Sequence, residues 1–251
     1  MAKKERLIEL LQEKRTALIT QAVTKGLDPN VPMKGSGVEW LGEIPAHWGA
    51  RRLKQIVPQI TVGIVVTPSK YYVDEGIPCL RSLNIAQGRV SMTDLVFISA
   101  AANDFHRKSQ IFEGDLVVVR TGRAGTAVVV PRDLDGANCI DLLIIRRSAQ
   151  TDSRFLYHFM NSHATSAQVE AHSVGAIQEH YNTGTLANLY VPIVPPVEQR
   201  AIATFLDRET ARIDALVAKV RSAMERLKEL RTAVISAAVT GKIDVRDEVA
   251  A

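Results

Sequence analysis

The 251-residue sequence has few of the residues that build covalent or metal-linked scaffolds. Its two cysteines, Cys79 and Cys139, are sixty positions apart and have no further ligand at a zinc-binding spacing. We therefore predict no metal site and expect two buried free thiols in a reducing cytoplasm. No apolar run approaches the roughly 20 residues of a membrane-crossing helix, and the first residues lack the apolar core of a signal peptide. The sequence thus predicts a cytoplasmic protein with no membrane partner.

The common catalytic motifs are missing as well. The sequence has no GxxxxGK(S/T) phosphate loop, no GxGxxG after a strand, no GxSxG elbow and no HExxH pair. These absences predict a chain without catalytic residues. One enzymatic alternative remains open: a hydrolase that pairs Asp115 or Asp141 with a histidine, which would turn over a substrate without a partner.

Charge of one sign is only slightly in excess. The chain carries 31 Lys and Arg residues against 27 Asp and Glu residues, a formal net charge of +4, and the basic residues are spread along it. Such a surplus permits a nucleic-acid partner but does not establish one, because an ordinary solvated surface has the same balance. A partner has to be argued from particular motifs.

The sequence does contain one segment that occurs twice. Residues 15–28 (RTALITQAVTKGLD) return as residues 231–244 (RTAVISAAVTGKID), with eight of fourteen positions identical. Two versions of one helix end around a long unique region indicate a module in which the helix is shared architecture and the globular part is variable. We therefore expect the specific function to lie between the two copies.

The second copy ends a long helical pattern. From Val197 to Thr240 there is no proline or glycine, and Gly241 then supplies a residue that can stop a helix. Apolar residues alternate at spacings of four and three, which predicts a coiled-coil helix over 197–241 that lies against another helix. The predicted coiled-coil interface consists of Ile202, Leu206, Ile213, Leu216, Val220, Leu227, Leu230 and Val234.

The first copy belongs to a shorter helix, from about Lys4 to Lys25, with Leu7, Leu11 and Leu18 on one stripe. A helix of this length is marginal on its own, so we expect it to pack on the long helix of this chain or of a partner.

A turn-rich linker follows the first helix. In it, Trp40 and Trp48 are expected to anchor the chain to the globular region. The patterns together divide the chain into an N-terminal helix, a linker, a globular domain, a long helix and a tail, at residues 1–28, 29–50, 51–196, 197–241 and 242–251.

The globular domain carries β-strand signals. Asp152 is placed to cap a helix that continues to Phe159. Because strands dominate and few helices lie among them, the pattern favours an α+β fold over a doubly wound parallel sheet. The predicted fold class is α+β, with a mostly-β globular domain, a long coiled-coil helix after it and a shorter N-terminal helix. Short β-branched runs bounded by turn residues predict strands at 60–66, 115–120, 126–130 and 139–145.

Three polar loops in this domain could contact a nucleic acid. Loop 120–126 combines glycines with two arginines that can fork onto phosphate or a guanine edge, and the alternative is a strand turn whose arginines only solvate it. Loop 67–72 pairs a lysine with two tyrosines, and segment 178–182 offers polar side chains that can read base edges. Together the loops describe a polar reading surface better than a catalytic cleft.

Several segments resemble the specificity subunits of type I restriction-modification systems. The resemblance covers nearly the whole chain. The family pattern alternates two recognition domains with two conserved helices, whereas this chain is similar to one half of it, which leaves open a natural half-subunit or a truncated one. The residues that carry the resemblance are GVEWLGEIPAHW at 37–48, GIPCLRSLNI at 76–85, GDLVVVRTGRAG at 114–125, PIVPPVEQRAI at 192–202 and the repeated helix end.

The resemblance implies a target-recognition domain that reads a half-site of double-stranded DNA through base edges. Two copies would pair through their long helices as a homodimer, which favours an interrupted palindrome as the DNA site. Among the residues in or near the polar loops and the resembling segments, the candidates for DNA contact are Lys70, Tyr71, Tyr72, Arg81, Asn84, Arg120, Thr121, Arg123, Gln178, His180 and Tyr181.

The resemblance also implies partners that do the chemistry. Modification (methyltransferase) subunits that bind S-adenosylmethionine would dock on the conserved helices, and restriction subunits that use ATP would join through them. This chain would hold no cofactor and no catalytic residue.

The alternative function is a coiled-coil assembly protein whose globular domain binds another protein. It predicts no preference among DNA sequences and little salt dependence of binding.

Overall fold

The structure is a computed structural model that describes residues 2–86, 88–172 and 181–243. The chain divides into two compact units. Residues 17–206 form one unit, called here the globule, and residues 1–16 together with 207–251 form the other, called the helical unit. The first and last helices each contribute residues to both units.

Helices lie mainly at the two ends of the described chain. Their bounds are α1 (Ala2–Lys25), α2 (Ala100–Phe105), α3 (Ser153–Met160), α4 (His163–His172), α5 (Thr183–Asn188) and α6 (Pro196–Val239). Two of the sequence-predicted helices are confirmed in place, because α6 covers the predicted long helix and α1 the predicted short one. None of these helices is both long enough and apolar enough to cross a membrane.

Strands lie between α1 and α6, where the sequence predicts them. This arrangement confirms the α+β class. Their bounds are β1 (Met33–Gly35), β2 (Glu43–Pro45), β3 (Gly49–Arg52), β4 (Ile60–Val62), β5 (Tyr72–Val73), β6 (Ile77–Leu80), β7 (Ile85–Ala86), β8 (Arg89–Val90), β9 (Val96–Ile98), β10 (Leu116–Val119), β11 (Ala127–Val129), β12 (Asn138–Cys139), β13 (Leu142–Ile145) and β14 (Tyr190–Ile193).

Two four-stranded sheets frame the globule. The first is antiparallel, with the strand order β11-β10-β13-β4. The second has the order β12-β6-β9-β5, in which β12 and β6 are parallel and the other neighbours antiparallel. Three further antiparallel pairs join β1 to β2, β3 to β14, and β7 to β8.

The central strands of the first sheet are buried on both faces. Val118 and Leu143 belong to the largest apolar cluster, whereas Val117 and Leu142 belong to a second cluster. Since successive side chains of a strand point to opposite faces, each face of this sheet is covered by its own cluster. Burial on both faces explains why β10 and β13 are continuous apolar runs in the sequence.

Two predicted strands are shorter than expected, and both are interrupted at the same place. The strand predicted at 60–66 ends at Val62, and the one predicted at 139–145 is divided into β12 and β13. At the interruption Gly63 crosses the other segment so closely that a Cβ there would lie 2.5 Å from the carbonyl oxygen of Cys139. Asp141 has a left-handed backbone, with φ of 51°. Long-range packing therefore breaks runs that are uniformly β-branched in sequence.

The helix predicted after Asp152 is confirmed, and its cap is local. The Asp152 carboxylate accepts hydrogen bonds from the backbone N–H groups of Arg154 at 2.9 Å and Phe155 at 3.1 Å. These bonds satisfy donors that the first turn of α3 leaves open.

The segment that enters the strand-rich part of the globule pairs with the segment that leaves it. Strand β3 pairs with β14, and Trp48, 1% exposed, donates from Nε1 to the Glu198 carboxylate at 2.9 Å. His47 Nε2 lies 2.8 Å from the other Glu198 oxygen. The predicted anchoring by Trp48 is confirmed, and Trp40 packs half-buried against the same core. Residues 29–50 are accordingly part of the globule.

In the helical unit, residues of α1 and α6 run side by side in opposite directions. Arg15 Nε lies 3.3 Å from Asp214 Oδ1, and farther along Glu5 acts electrostatically on Lys228. The buried face of α1 differs from the predicted stripe, because Ile19, Ala22 and Val23 are buried while Leu11 and Leu18 are only half-buried. Leu7 is exposed, while Ile8 is half-buried.

The predicted coiled-coil interface on α6 is divided between three environments. Ile202 and Leu206 are buried in the largest apolar cluster of the globule, which also contains Ile19 and Val23 of α1. Ile213 is buried and Val220 half-buried within the helical unit. The other predicted interface residues are exposed in this chain, namely Leu216, Leu227, Leu230 and Val234.

Candidate nucleic-acid interface

The loop between β10 and β11 presents arginines on a tight turn. The backbone N–H of Val119 donates to the carbonyl of Thr126 at 2.9 Å, and that of Gly125 donates to Val119 at 2.8 Å. Gly122 and Gly125 both have positive φ, which a glycine adopts without steric cost. The turn therefore fixes the backbone and leaves Arg120 half-buried at its base and Arg123 exposed on it.

Asp141 joins this loop to the rest of the site. Its Oδ1 accepts from Arg120 Nη1 at 2.9 Å, and its Oδ2 accepts from the Thr121 hydroxyl at 3.3 Å. Its backbone N–H donates to the carbonyl of Ile64 at 3.1 Å. Asp141 thus links the arginine loop to the segment that leads from Gly63 into the predicted lysine–tyrosine loop.

That second loop presents a cation and two rings. Thr67 has a positive φ of 43°, which turns the chain before a short 3₁₀ turn over Pro68–Tyr71. The Lys70 ammonium lies 4.8 Å from the centre of the Tyr71 ring, and Tyr72 is exposed on β5. The loop therefore offers both positive charge and aromatic surface, as the sequence predicts.

A neighbouring segment extends this surface and was missed in the sequence. His106 contacts the Tyr71 ring edge-on at 4.6 Å and the Phe105 ring at 4.9 Å, and Phe105 is 75% exposed. Arg107 and the lysine after it are exposed too, although Asp104 is an exposed acid beside them. The signal that could have found this segment is its run of aromatic and basic residues, FHRK at 105–108.

Two of the predicted contact residues have structural roles instead. Asn84 is 0% exposed and its amide donates to the carbonyls of Ser91 and Thr93, both at 3.0 Å. Tyr181 is buried, and its ring fills the space in which a Cβ at Gly125 would lie. Neither side chain is accessible to a base, so both assignments were wrong.

The remaining predicted residues fall into two groups. Arg81 is half-buried and donates from Nη2 to the carbonyl of Asp94 at 2.5 Å, and Arg123 donates to the carbonyl of Ile85 at 3.3 Å. These two bonds connect the arginines to the segment around β7 and β8. Gln178 and His180 lie outside the described residues.

Groups that could support an enzyme or a metal are engaged otherwise. The Asp115 carboxylate accepts from Arg146 Nη1 at 2.6 Å and from the backbone N–H of Arg147 at 2.9 Å, and Asp141 is paired with Arg120. Arginine thus holds both carboxylates of the hydrolase alternative. Among the described residues, no three His, Cys, Asp or Glu side chains form a group that could hold a metal ion.

Burial shifts the pKa values of both cysteines and of His106. Burial raises the pKa of Cys79 to about 12 and that of Cys139 well above its usual value, so both thiols stay protonated near neutral pH. Burial and the nearby Lys70 ammonium lower the pKa of His106. The aromatic surface is therefore expected to hold His106 as the neutral imidazole at pH 7.

Comparison with protein families gives one match that covers most of the chain. Residues 45–226 match the family described as the type I restriction modification DNA specificity domain. This range includes the globule from β2 onward and the first part of α6.

The similar curated proteins are specificity subunits of type I restriction enzymes. The specificity subunit of the type I restriction enzyme MjaVIII of Methanocaldococcus jannaschii is 23% identical over 248 residues, which are 96% of this chain and 56% of that protein. The EcoKI specificity subunit of Escherichia coli is 26% identical over 213 residues, 80% of this chain and 44% of that protein. The chain thus spans about half the length of these relatives.

Solved structures share the fold. A chain from a study of complex assembly and conformational transition of the type I R-M system has a TM-score of 0.61 at 21% identity, over 94% of this chain and 57% of that one. The HsdS subunit of Thermoanaerobacter tengcongensis has a TM-score of 0.56 at 21% identity, over 96% and 57%.

Proposed function

This chain belongs to the family of type I restriction-modification specificity subunits, and from that premise we propose that its globule reads a short half-site of double-stranded DNA. One observation carries the proposal beyond the family. Asp141 bonds to Arg120 and Thr121 of the arginine loop and to the carbonyl of Ile64, three residues before the lysine–tyrosine loop, so one residue links the first loop to the segment that leads into the second. A DNA-reading surface needs arginines that bond to base edges, and aromatic rings beside cations add further contacts.

The residues at this surface divide into two roles. We expect Arg120, Thr121 and Arg123 to contact base edges, because the tight turn holds them on a fixed backbone. Lys70 and Arg107 are expected to contact phosphates, because both are exposed cations.

Two copies of the chain are proposed to pair through the helical unit. Leu227, Leu230 and Val234 follow one another at spacings of three and four and are exposed, as Leu230 is to 60%. Residues at these spacings lie on one face of a helix, and a stripe of exposed leucine and valine is stabilised by burial against a partner. A homodimer would carry two recognition domains and would favour a site with two symmetric halves.

The catalytic partners and their cofactors are also proposals. Modification subunits that bind S-adenosylmethionine would methylate adenine, and ATP-dependent restriction subunits would join the complex, while this chain supplies DNA specificity and no catalysis. Arginine pairing of Asp115 and Asp141 is consistent with a non-catalytic chain.

The decisive experiment co-expresses the chain with its modification subunit and maps methylated adenines across a genome. We expect one motif with two symmetric halves separated by unread positions. Arg123→Ala should relax specificity at one position of each half, at a cost of about 1 to 3 kcal/mol in discrimination. The loop assignment fails if Arg120→Ala and Arg123→Ala both leave the methylated motif unchanged.

A second candidate function, a protein-binding assembly module, is favoured by the exposed apolar stripe on α6 alone. Duplex binding at several salt concentrations distinguishes the two. A DNA reader loses affinity steeply as salt rises because phosphate contacts release counterions, whereas the assembly module should bind no duplex in preference to another.

A further inference from the structure

Asp141 is an acid in a place where stability does not require one. Its φ of 51° lies in the left-handed region, which strains most residues other than glycine. Its ion pair with Arg120 is partly open to solvent, with side chains 41% and 34% exposed, and such pairs add little to stability. An asparagine or a glycine would suit the backbone at least as well.

The carboxylate nevertheless makes two directed bonds. It holds Nη1 of Arg120 and the hydroxyl of Thr121, one with each oxygen. Within the part of the chain that the structure describes, Nε of Arg120 is buried and has no hydrogen-bond partner, so the bond from Nη1 to Asp141 is the one that orients the guanidinium. An arginine reads guanine with two donors at once, and this requires the guanidinium plane to be fixed before DNA arrives.

An acid at this position also has an electrostatic effect on DNA binding. A carboxylate beside a phosphate-binding surface repels the backbone of every sequence alike. It therefore weakens binding to non-target DNA, while a correctly aimed arginine recovers affinity only at a target. The orientation of Arg120 and the repulsion of the DNA backbone both increase the ratio of target to non-target affinity.

We propose that Asp141 is a positioning residue for specificity: it aims Arg120 and Thr121 at base edges and lowers the affinity for DNA that lacks the target. This inference rests on the proposed function of the globule as a DNA reader.

The test uses the full chain with its modification subunit and two duplexes, one with the mapped methylation motif and one with the motif scrambled. Asp141→Asn keeps a residue that tolerates positive φ and removes the charge. We expect the ratio of the two affinities to fall about tenfold. Affinity for the scrambled duplex should stay constant or rise up to about threefold, and the thermal midpoint should not change.

Three further variants complete the design. Asp94→Asn is a matched control, because Asp94 also has a positive φ, of 54°, and is exposed, and it should leave the ratio unchanged. Asp141→Gly relieves the strained φ and should lower the ratio as Asp141→Asn does. Arg120→Lys should lower the ratio too, and Arg120→Lys combined with Asp141→Asn should lose no more than the larger single loss.

The outcomes separate the proposal from its premise. A positioning role is refuted if Asp141→Asn keeps the ratio, or if it weakens both duplexes equally and lowers the thermal midpoint, since a structural residue behaves that way. A wild-type chain that binds the two duplexes equally would instead overturn the proposed function itself.

Discussion

The globule and the helical unit differ in where their exposed apolar residues lie. In the globule both faces of the first sheet are covered, and the exposed groups at the candidate site include arginine, lysine, tyrosine and one phenylalanine beside two exposed valines, Val65 and Val66. In the helical unit a stripe of leucine and valine on α6 stays exposed. The first pattern is typical of a folded module that recognises a polar ligand, and the second is typical of a surface that is buried in an assembly. Under the proposed function, the globule recognises DNA and the helical unit associates two copies.

The largest expected effect is on the core of the globule. Phe155→Ala removes a ring that is 0% exposed, so we expect the free energy of unfolding to fall by about 3 to 5 kcal/mol. Phe105→Ala is the matched control, because its ring is exposed, and it should change stability by less than about 0.5 kcal/mol. Urea denaturation followed by tryptophan fluorescence measures both. Equal losses in the two variants would mean that Phe105 is not a surface residue.

The next effect concerns the exposed stripe of the helical unit. Leu227→Lys combined with Leu230→Lys places two charges in the proposed dimer contact. We expect the dimer dissociation constant to rise at least about 100-fold, which corresponds to about 2.8 kcal/mol. Sedimentation equilibrium measures this change, and Leu83→Lys, at an exposed leucine of the globule, is the control. A wild-type chain that is monomeric at every concentration would refute the dimer.

A smaller effect is the loss of stability at alkaline pH. It is expected in the globule and not in the helical unit, because both cysteines lie in the globule. The pKa of Cys79 is about 12 in the folded chain and about 8.5 in an unfolded one, so the folded state keeps a proton that the unfolded state loses. Stability is then full below pH 8.5 and falls above it, by up to about 1.4 kcal/mol per pH unit for each thiol. Denaturation between pH 8 and 10 tests this, and Cys79→Ala should reduce the slope. A slope that Cys79→Ala leaves unchanged would contradict the buried thiol.

The smallest expected effect is on the aromatic surface. Phe105→Ala should weaken duplex binding by about 1 kcal/mol, because a base or sugar loses an exposed ring to contact. Lys70→Ala should weaken all duplexes alike and reduce the salt slope by about one. Fluorescence anisotropy at three salt concentrations measures both changes. If neither variant alters affinity, the FHRK segment and the lysine–tyrosine loop both lie outside the interface.

The sequence predicts those parts of the fold that depend on residues close together in the chain. The α3 cap depends on Asp152 and the next three residues, and the end of α1 at Gly26 depends on a positive φ that glycine allows. The length of α6 follows from a run without proline or glycine. Such features are visible in a window of a few residues.

The features that sequence missed have causes far away in the chain. Strand β12 stops before β13 because Gly63 crosses Cys139, and no local signal marks that crossing. Asn84 resembles a base-reading amide in sequence, yet it is buried and its amide donates to the carbonyls of Ser91 and Thr93. Strands as short as β5, of two residues, leave no alternating pattern to detect.

The same limit applies to the candidate site. Sequence identified Arg120 and Arg123 because they lie in one glycine-containing turn. It could not identify Asp141 as their companion, since that residue reaches Arg120 only after β10 and β13 pair. Pairing between distant strands therefore determines which polar residues can act together.

The bond between Trp48 and Glu198 joins residues that are 150 positions apart in sequence, and β3 and β14 pair beside it. Residues 49–197 therefore begin and end at the same place in the fold. Genetic exchange with breakpoints near Trp48 and Glu198 would replace a whole cassette and keep both of its termini in place. Under the proposed function, such an exchange would change the target preference and leave unchanged the helices through which copies are proposed to associate.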